Sequence, residues 1–451
     1  MRERHRLGDF VRERHPAQLI AIAFAAAIVV GAVLLMLPFA TRGPGGASVL
    51  TAFFTSTSAI CVTGLIVADT PTYWSSFGQA VILGLIQIGG LGIMTLASLL
   101  ALLVARRLGL RRRLIAQADT AAPELSDVRR LVLAVVLLSL FFEALAAVVL
   151  TARLAVSYDY GFGAALWRGI FHAVSAFNNA GFALWSDNLV GFVTDGWICV
   201  TVALAVIAGG LGFPVWLELR RRALAPRSWT LHTKLTVAAT FLLVLGGTVA
   251  VLGFEWSNAG TIGDLDTGGK LLASFFQGVS PRTAGFNTFD YVESEPETLF
   301  VTDMLMFVGA GSASTGGGIK VTTFALLLLM VWAEIRGEPN VNAFGRRIPE
   351  HAQRQALVVS LIALNAVVLC TLALMASGPF SLQQALFEAL SAFGTVGLST
   401  GITAQLDDFG QSILIALMFL GRTGPYTLAV ALALRERERL YRFPEERPII
   451  G

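Results

Sequence analysis

Mostly apolar stretches long enough to cross a bilayer recur along this chain, punctuated by polar and basic residues. A membrane-spanning helix needs about 20 predominantly apolar residues. Eight candidates meet that length, at roughly 17–40, 75–104, 127–156, 194–219, 230–254, 299–331, 354–377 and 410–434. They fall into four pairs, and inside each pair lies a further apolar run too short to cross: Ala47 to Ile60, Gly163 to Phe177, Gly268 to Val279 and Ser381 to Phe393. Such runs predict half-helices that enter and turn back, since non-helical backbone at membrane depth persists only against protein or water. The predicted unit is helix, half-helix, extended loop, helix, written four times.

Each short run ends in a similar stretch. Cys61-Val62-Thr63-Gly64-Leu65, Asn178-Asn179-Ala180-Gly181-Phe182, Arg282-Thr283-Ala284-Gly285-Phe286 and Gly394-Thr395-Val396-Gly397-Leu398 align on glycines that stand 104 to 117 residues apart. A Ser-Ala pair lies six and five positions before three of them (Ser58-Ala59, Ser175-Ala176, Ser391-Ala392), whereas the third copy has Val279-Ser280. A lone glycine in a membrane helix is ordinarily a close-packing position. Four of them, each ending a half-helix, predict a pseudo-four-fold object with the glycines around one axis. Glycine permits dihedrals closed to residues with a Cβ, so that successive carbonyls can face that axis and replace the hydration shell of a cation. Converging half-helix C-termini add a favourable potential for the cation. The predicted binding positions are Cys61, Val62, Thr63 and Gly64; Asn178, Asn179, Ala180 and Gly181; Arg282, Thr283, Ala284 and Gly285; and Gly394, Thr395, Val396 and Gly397.

Composition agrees with a lipid solvent. Mean hydropathy is +0.70, with 55% hydrophobic and only 14% charged residues, which describes an all-α polytopic membrane protein. A net charge of +3 is too small to imply nucleic-acid binding. The placement of the basic residues matters more. Arg2 to Arg14, Arg106 to Arg113, Arg220 to Arg227, Arg336 to Arg354 and Arg435 to Arg447 lie at the termini and between repeats, while Asp187, Asp195, Asp264, Asp266, Glu293, Glu295, Glu297, Asp407 and Asp408 lie on the opposite side. The positive-inside rule then predicts cytoplasmic termini, with all four half-helices entering from outside. The first apolar segment is read as a retained helix. Cys61, Cys199 and Cys370 are too scattered for a disulfide framework or a metal set.

Two features stand apart from the repeated loops. The sixth segment contains Gly309-Ala310-Gly311-Ser312-Ala313-Ser314-Thr315-Gly316-Gly317-Gly318-Ile319-Lys320. Each glycine disfavours helix by about 1 kcal/mol relative to alanine, so an irregular intramembrane loop beside a cavity is expected. A phosphate-binding loop would need Gly-Lys-Ser/Thr after a strand, and here Ile319 and Val321 flank Lys320. Arg422 falls near the middle of the eighth segment, where a charge costs at least about 2.5–3.5 kcal/mol. It is expected to face the pore, to bond loop carbonyls, or both. Glu143, Glu388, His172 and Asn365 are expected to make hydrogen bonds between repeats, and Asp69, Asp187 and Asp290 to form an acidic outer mouth.

Together the filter stretches, the Gly-rich break and Gly421-Arg422-Thr423-Gly424-Pro425 resemble the Trk/Ktr/HKT superfamily of potassium transporters, specifically the membrane subunit of Ktr-type systems. The resemblance covers nearly the whole chain. The 16 residues before the first segment leave no room for the two extra helices usual in Trk-type relatives, and Gly64 stands where some sodium-preferring plant relatives have Ser. It implies repeats at 17–126, 127–229, 230–353 and 354–434, between a cytoplasmic segment at 1–16 and a cytoplasmic tail at 435–451. It implies potassium uptake across the bacterial cytoplasmic membrane with no enzymatic activity, a potassium-selective filter at the quoted positions, and a gate made of Gly309, Gly311, Ser312, Ser314, Thr315, Gly316, Gly317, Gly318, Lys320 and Arg422. It also implies a homodimer on a ring of cytosolic nucleotide-binding subunits (KtrA-like), with ATP/ADP or NAD(H) held only by that partner, and flow down the electrochemical gradient that is either passive or sodium-stimulated. Lipid is the remaining expected partner; nucleic acid is not. The rivals are a secondary transporter of another cation or small solute, sodium-selective or proton-coupled, which predicts one or two broken helices and a buried carboxylate, and an intramembrane enzyme, whose zinc-site motif HExxH does not occur.

Overall fold

The computed structural model describes residues 16–113 and 125–424. The terminal arginine clusters, Pro425, the rest of the eighth predicted segment and the middle of the first linker lie outside the described residues. The first repeat comprises α1 (Pro16–Leu35), α2 (Val49–Ile60) and α3 (Ser76–Arg113), and the second α4 (Leu125–Ser157), α5 (Phe162–Phe177), α6 (Gly196–Leu211) and α7 (Phe213–Arg222). The third comprises α8 (Leu231–Glu255), α9 (Thr267–Val279), α10 (Pro296–Phe307) and α11 (Val321–Ile335), and the fourth α12 (Glu350–Ser377), α13 (Leu382–Gly394) and α14 (Asp408–Thr423).

The short helices α2, α5, α9 and α13 occupy the positions of the predicted half-helices. Side-chain caps start three of them: Ser48 accepts from the Thr51 amide, Asp266 from the Gly268 and Gly269 amides, and Ser381 forms a capping box with Gln384. Each packs on the long helix before it, and this approach depends on small residues. A methyl group on Gly169 would collide with Thr151, one on Gly278 with Thr248, and one on Gly31 with Ser56, whose hydroxyl donates to the Ile28 carbonyl at 2.7 Å. The outer faces are apolar and exposed, as with Leu133, Leu137 and Phe141 on α4, Phe241 and Val249 on α8, and Leu361, Leu364, Val368 and Leu372 on α12. That is a surface for hydrocarbon.

Three of the eight predicted segments are bent, broken or ended within the described residues. Among the described residues, three helices, Arg129–Ser157, α8 and α12, are long and apolar enough to cross a membrane alone. The fourth predicted span is bent by 99° between α6 and α7. The cause is Gly212, which takes φ +88° and so ends one helix and starts the next. The sixth is interrupted between α10 and α11, as its glycines predicted, and α14 stops at Gly424, with φ +84°. One small departure from all-α structure is a hairpin of β1 (Asn342–Ala343) and β2 (Arg346–Arg347) between α11 and α12, turned by Phe344 and Gly345 at φ +49° and +73°.

Candidate ion pathway

The four repeated stretches follow the C-termini of α2, α5, α9 and α13 and share one backbone pattern. The glycine and the residue two before it both have positive φ: Val62 57° and Gly64 91°, Asn179 60° and Gly181 70°, Thr283 73° and Gly285 73°, Thr395 51° and Gly397 98°. The residue between keeps negative φ. Alternating handedness turns successive carbonyls to the same side, whereas an ordinary strand points them to opposite sides. For Val62, β-branched, the left-handed region is strained, so surrounding contacts must hold it there.

Those contacts come from the half-helix just finished. The amides of Thr63, Ala180 and Val396 donate to the carbonyls of Ser58, Ser175 and Ser391 at 2.7, 2.7 and 2.8 Å. The hydroxyls of Ser58 and Ser175 donate onward to the carbonyls of Leu65 and Phe182 at 2.7 and 2.8 Å, and the amides of Gly64 and Gly397 donate to the Ser58 and Ser391 hydroxyls at 3.1 and 3.0 Å. In the third repeat the serine stands one place later, and the same job is done one bond shorter: the Ala284 amide donates to the Ser280 carbonyl at 2.9 Å, and the Ser280 hydroxyl donates to the Phe286 carbonyl. The N–H groups are thus drawn back to the scaffold, while the carbonyls of Thr63, Ala180, Ala284 and Val396 accept no hydrogen bond from the described residues.

The glycines close into a ring. A Cβ placed on Gly64, Gly181, Gly285 or Gly397 would stand 3.0–3.1 Å from the Cα of Gly181, Gly285, Gly397 or Gly64 respectively. Each such Cβ would also press within 3.0 Å of one of those free carbonyl oxygens in the neighbouring loop. Glycine is therefore required twice at each position, by the dihedral and by the neighbour's oxygen. On one side the ring opens to a vestibule of about 470 Å³ that Asp69, Asp187 and Asp290 all line. Asp69 accepts from Thr72 and Ser186 at 2.6 and 2.7 Å, while Asp187 and Asp290 cap backbone amides.

On the other side of the ring lies the Gly-rich loop. Gly316 leaves space for the Thr283 side chain and Gly317 for that of Thr395, and the Gly317 amide donates to the Thr395 hydroxyl at 3.0 Å. The Asn179 amide sits between the hydroxyls of Thr283 (3.1 Å) and Thr315 (3.3 Å). The loop is also stitched to two helices. Gly311 and Thr315 donate to the carbonyls of Gly210 and Gly209 at 2.8 and 3.3 Å, and Gly318 to that of Gly421 at 3.3 Å. Internally, Gly309 donates to the Ile319 carbonyl at 2.8 Å, Ser314 to that of Gly311 at 2.6 Å, and the Lys320 ammonium to that of Gly316 at 2.5 Å, while the Ser312 and Thr322 hydroxyls lie 3.1 Å apart. Arg422 is buried; it donates to the Thr315 carbonyl through Nη1 and to the Gly89 carbonyl through Nη2 at 2.7 Å.

Sequence reading missed a second four-fold element that seats this loop. Gly89, Gly209, Gly309 and Gly421 follow the ring glycines by 24 to 28 residues, in Gly89-Gly90-Leu91-Gly92, Gly209-Gly210-Leu211-Gly212, Gly309-Ala310-Gly311-Ser312 and Gly421-Arg422-Thr423-Gly424. Gly89, Gly209 and Gly421 press against the carbonyls of Ile60, Phe177 and Phe393, at the ends of their half-helices. In the third repeat the helix has already ended, and Gly309 meets the Gly317 carbonyl instead. Spacing from the ring glycines was the available signal.

Several polar residues differ from expectation. Glu143 does bridge repeats, accepting from Gln87 at 3.0 Å and from Asn178 at 3.2 Å. His172 stays within its repeat, with Nδ1 2.7 Å from the Arg168 carbonyl and Nε2 accepting from the Leu184 amide at 3.1 Å. Glu388 likewise accepts from Ser399 and Thr403 of its own repeat. Asn365 is exposed and donates to the Leu361 carbonyl of its own helix. Their nearest polar partners lie along the same half-helix, loop or helix turn, so no neighbouring repeat is needed. The Arg282 side chain points away from the ring, towards Thr240 on α8 at 3.3 Å. Cys61, Cys199 and Cys370 are all buried free thiols.

Four half-helix-and-loop units whose glycines close a ring, with a broken helix beneath, describe a polytopic membrane protein with one central ring of carbonyls. Comparison with known proteins narrows the class. The sequence profile of TrkH, described as cation transport protein, matches residues 4–442, and the chain belongs to that family. It is 42% identical over 436 residues to the Ktr system potassium uptake protein B of Bacillus subtilis, covering 97% of both chains. It is 39% identical to the protein of the same name from Vibrio alginolyticus, covering 96% of this chain and 94% of that one. It is 35% identical to the potassium/sodium uptake protein NtpJ of Enterococcus hirae, covering 98% of each. Among solved structures, the crystal structure of the potassium transporter TrkH from Vibrio parahaemolyticus matches with a TM-score of 0.72 over 92% of this chain and 84% of that one, at 19% identity.

Proposed function

We propose that this chain carries potassium into a bacterial cell through the ring of Gly64, Gly181, Gly285 and Gly397. The observation that carries the reading is the closed ring itself, with carbonyls left free where water must be shed. The names of the full-length relatives supply the ion. The ion exchanges water for carbonyls of residues 61–64, 178–181, 282–285 and 394–397, then meets the Gly-rich loop and Arg422, which act as the gate. Flow is down the electrochemical gradient, passive or stimulated by sodium, and no bond is made or broken. The vestibule faces outward and both termini face the cytoplasm. The working assembly is a homodimer on a cytosolic ring that binds the regulatory nucleotide, in keeping with relatives named as one component of a system.

Rubidium uptake into proteoliposomes, with and without competing sodium, tests the filter. Gly64→Ser should lower rubidium preference over sodium by roughly ten-fold or more, because its side chain must displace the Ala180 carbonyl. Intact selectivity in that variant would refute the assignment.

A further inference from the structure

Behind the second ring loop lies a buried polar cluster that the transport reading leaves unused. Glu143 on α4 is 5% exposed. Its carboxylate accepts from Gln87 Nε2 at 3.0 and 3.2 Å and from Asn178 Nδ2 at 3.2 Å, and Gln87 Oε1 accepts from the same Asn178 nitrogen at 2.8 Å. Asn178 opens the second ring stretch, three residues before Gly181. Its amide oxygen has no partner among the described residues and lies where Gly90 has no side chain. The triad therefore wedges one ring loop between α3 and α4. The corresponding positions in the other loops, Cys61, Arg282 and Gly394, make no such contact with a carboxylate. The same stretch of α3 also reaches the gate side, because Gly89, two residues after Gln87, offers its carbonyl to Arg422.

We propose that Glu143 is a positioning residue for ion selection, holding the second ring loop in register through Asn178 and the adjoining part of α3 through Gln87. The inference rests on the filter reading above. A hydrogen bond to a charged group is among the strongest a side chain can make, and losing it frees a buried amide to rotate or to pull its backbone. Glu143→Gln keeps the shape and one acceptor but removes the charge, while Glu143→Asp keeps the charge.

The test measures rubidium uptake and its inhibition by sodium in proteoliposomes for Glu143→Gln, Glu143→Asp, Asn178→Ala and the double variant Glu143→Gln/Asn178→Ala, each first checked as a single symmetrical peak in size exclusion. Glu143→Gln should reduce rubidium-over-sodium preference by roughly ten-fold, the size of one charged hydrogen bond, and Glu143→Asp should restore most of it. The double variant should lose clearly less than the sum of the two single losses, since Glu143 acts in part through that residue. Unchanged selectivity in Glu143→Gln, or additive losses in the double variant, would overturn the proposal. Gly181→Ser serves as the separating control. If it changes selectivity while Glu143→Gln does not, only this inference fails; if neither does, the filter reading falls with it.

Discussion

Arg422 donates from Nη2 to the Gly89 carbonyl at 2.7 Å, tying the last described helix to α3 across 333 positions of sequence. Its other arm holds the Thr315 carbonyl of the Gly-rich loop. One guanidinium thus spans two otherwise unconnected pieces of backbone, and its fork suits that task better than an ammonium would. Each such bond is worth about 1.5–3 kcal/mol. Arg422→Ala should release the loop and raise rubidium influx by roughly ten-fold, the ratio that corresponds to one lost bond of that size. Arg422→Lys should fall between. Uptake at the parent rate, at equal reconstituted protein, would show that Arg422 does not restrain the loop.

Thr395 serves two structures at once, its backbone shaping the fourth ring stretch and its hydroxyl receiving the Gly317 amide. Thr395→Val preserves volume but removes the acceptor, leaving a buried amide unsatisfied at a cost of about 1–3 kcal/mol. The expected result is faster influx with ion preference largely kept. A selectivity loss as large as that of Gly64→Ser would instead place the hydroxyl's role in the ring.

Gly421 lies so close to the Phe393 carbonyl that no side chain fits without parting α14 from α13. Backbone against backbone cannot repack by a rotamer change, so Gly421→Ala should destabilise the fold by more than the about 1–3 kcal/mol typical of overpacked cores. Thermal unfolding in detergent should show a fall of several degrees and a loss of monodisperse protein. Unaltered unfolding would mean that the approach of the two helices is looser than described.

Ser280 anchors the third ring stretch through the Phe286 carbonyl. Ser280→Ala should lower thermal stability by roughly 1 kcal/mol. Moving the serine to its place in the other repeats, as Val279→Ser with Ser280→Ala, should not rescue the loss, because here the amide before the ring glycine turns back four residues, to position 280, where the other repeats turn back five. Full rescue would refute the register.

The architecture was legible where residue chemistry forces backbone. Four glycines at even spacing announced their loops because left-handed dihedrals strongly favour glycine, and five glycines within 309–318 announced the broken helix. The seats for that loop were not legible. Gly89, Gly209 and Gly421 sit within otherwise ordinary apolar helices, and only the distance to a carbonyl in another element makes them special. Thr283 and Thr395 were read for their carbonyls, while their side chains proved to be the loop's footing. The bend at Gly212 was hidden because hydropathy continues unbroken through it. Glu388, His172 and Asn365 satisfy themselves nearby, which a one-dimensional reading cannot distinguish from bonding across repeats.

Among the described residues, the third quadrant ends its helix before the small-residue position beneath the ring, whereas at Gly89, Gly209 and Gly421 a helical turn lies hard against the half-helix above it. On the proposed function, the passage would be a door with a single leaf, hinged at α10 and α11 and latched to its neighbours. Its opening would break the bond from the Gly317 amide to the Thr395 hydroxyl while leaving the backbone bonds that hold the ring in place, so that flow would be switched without loosening the choice of ion.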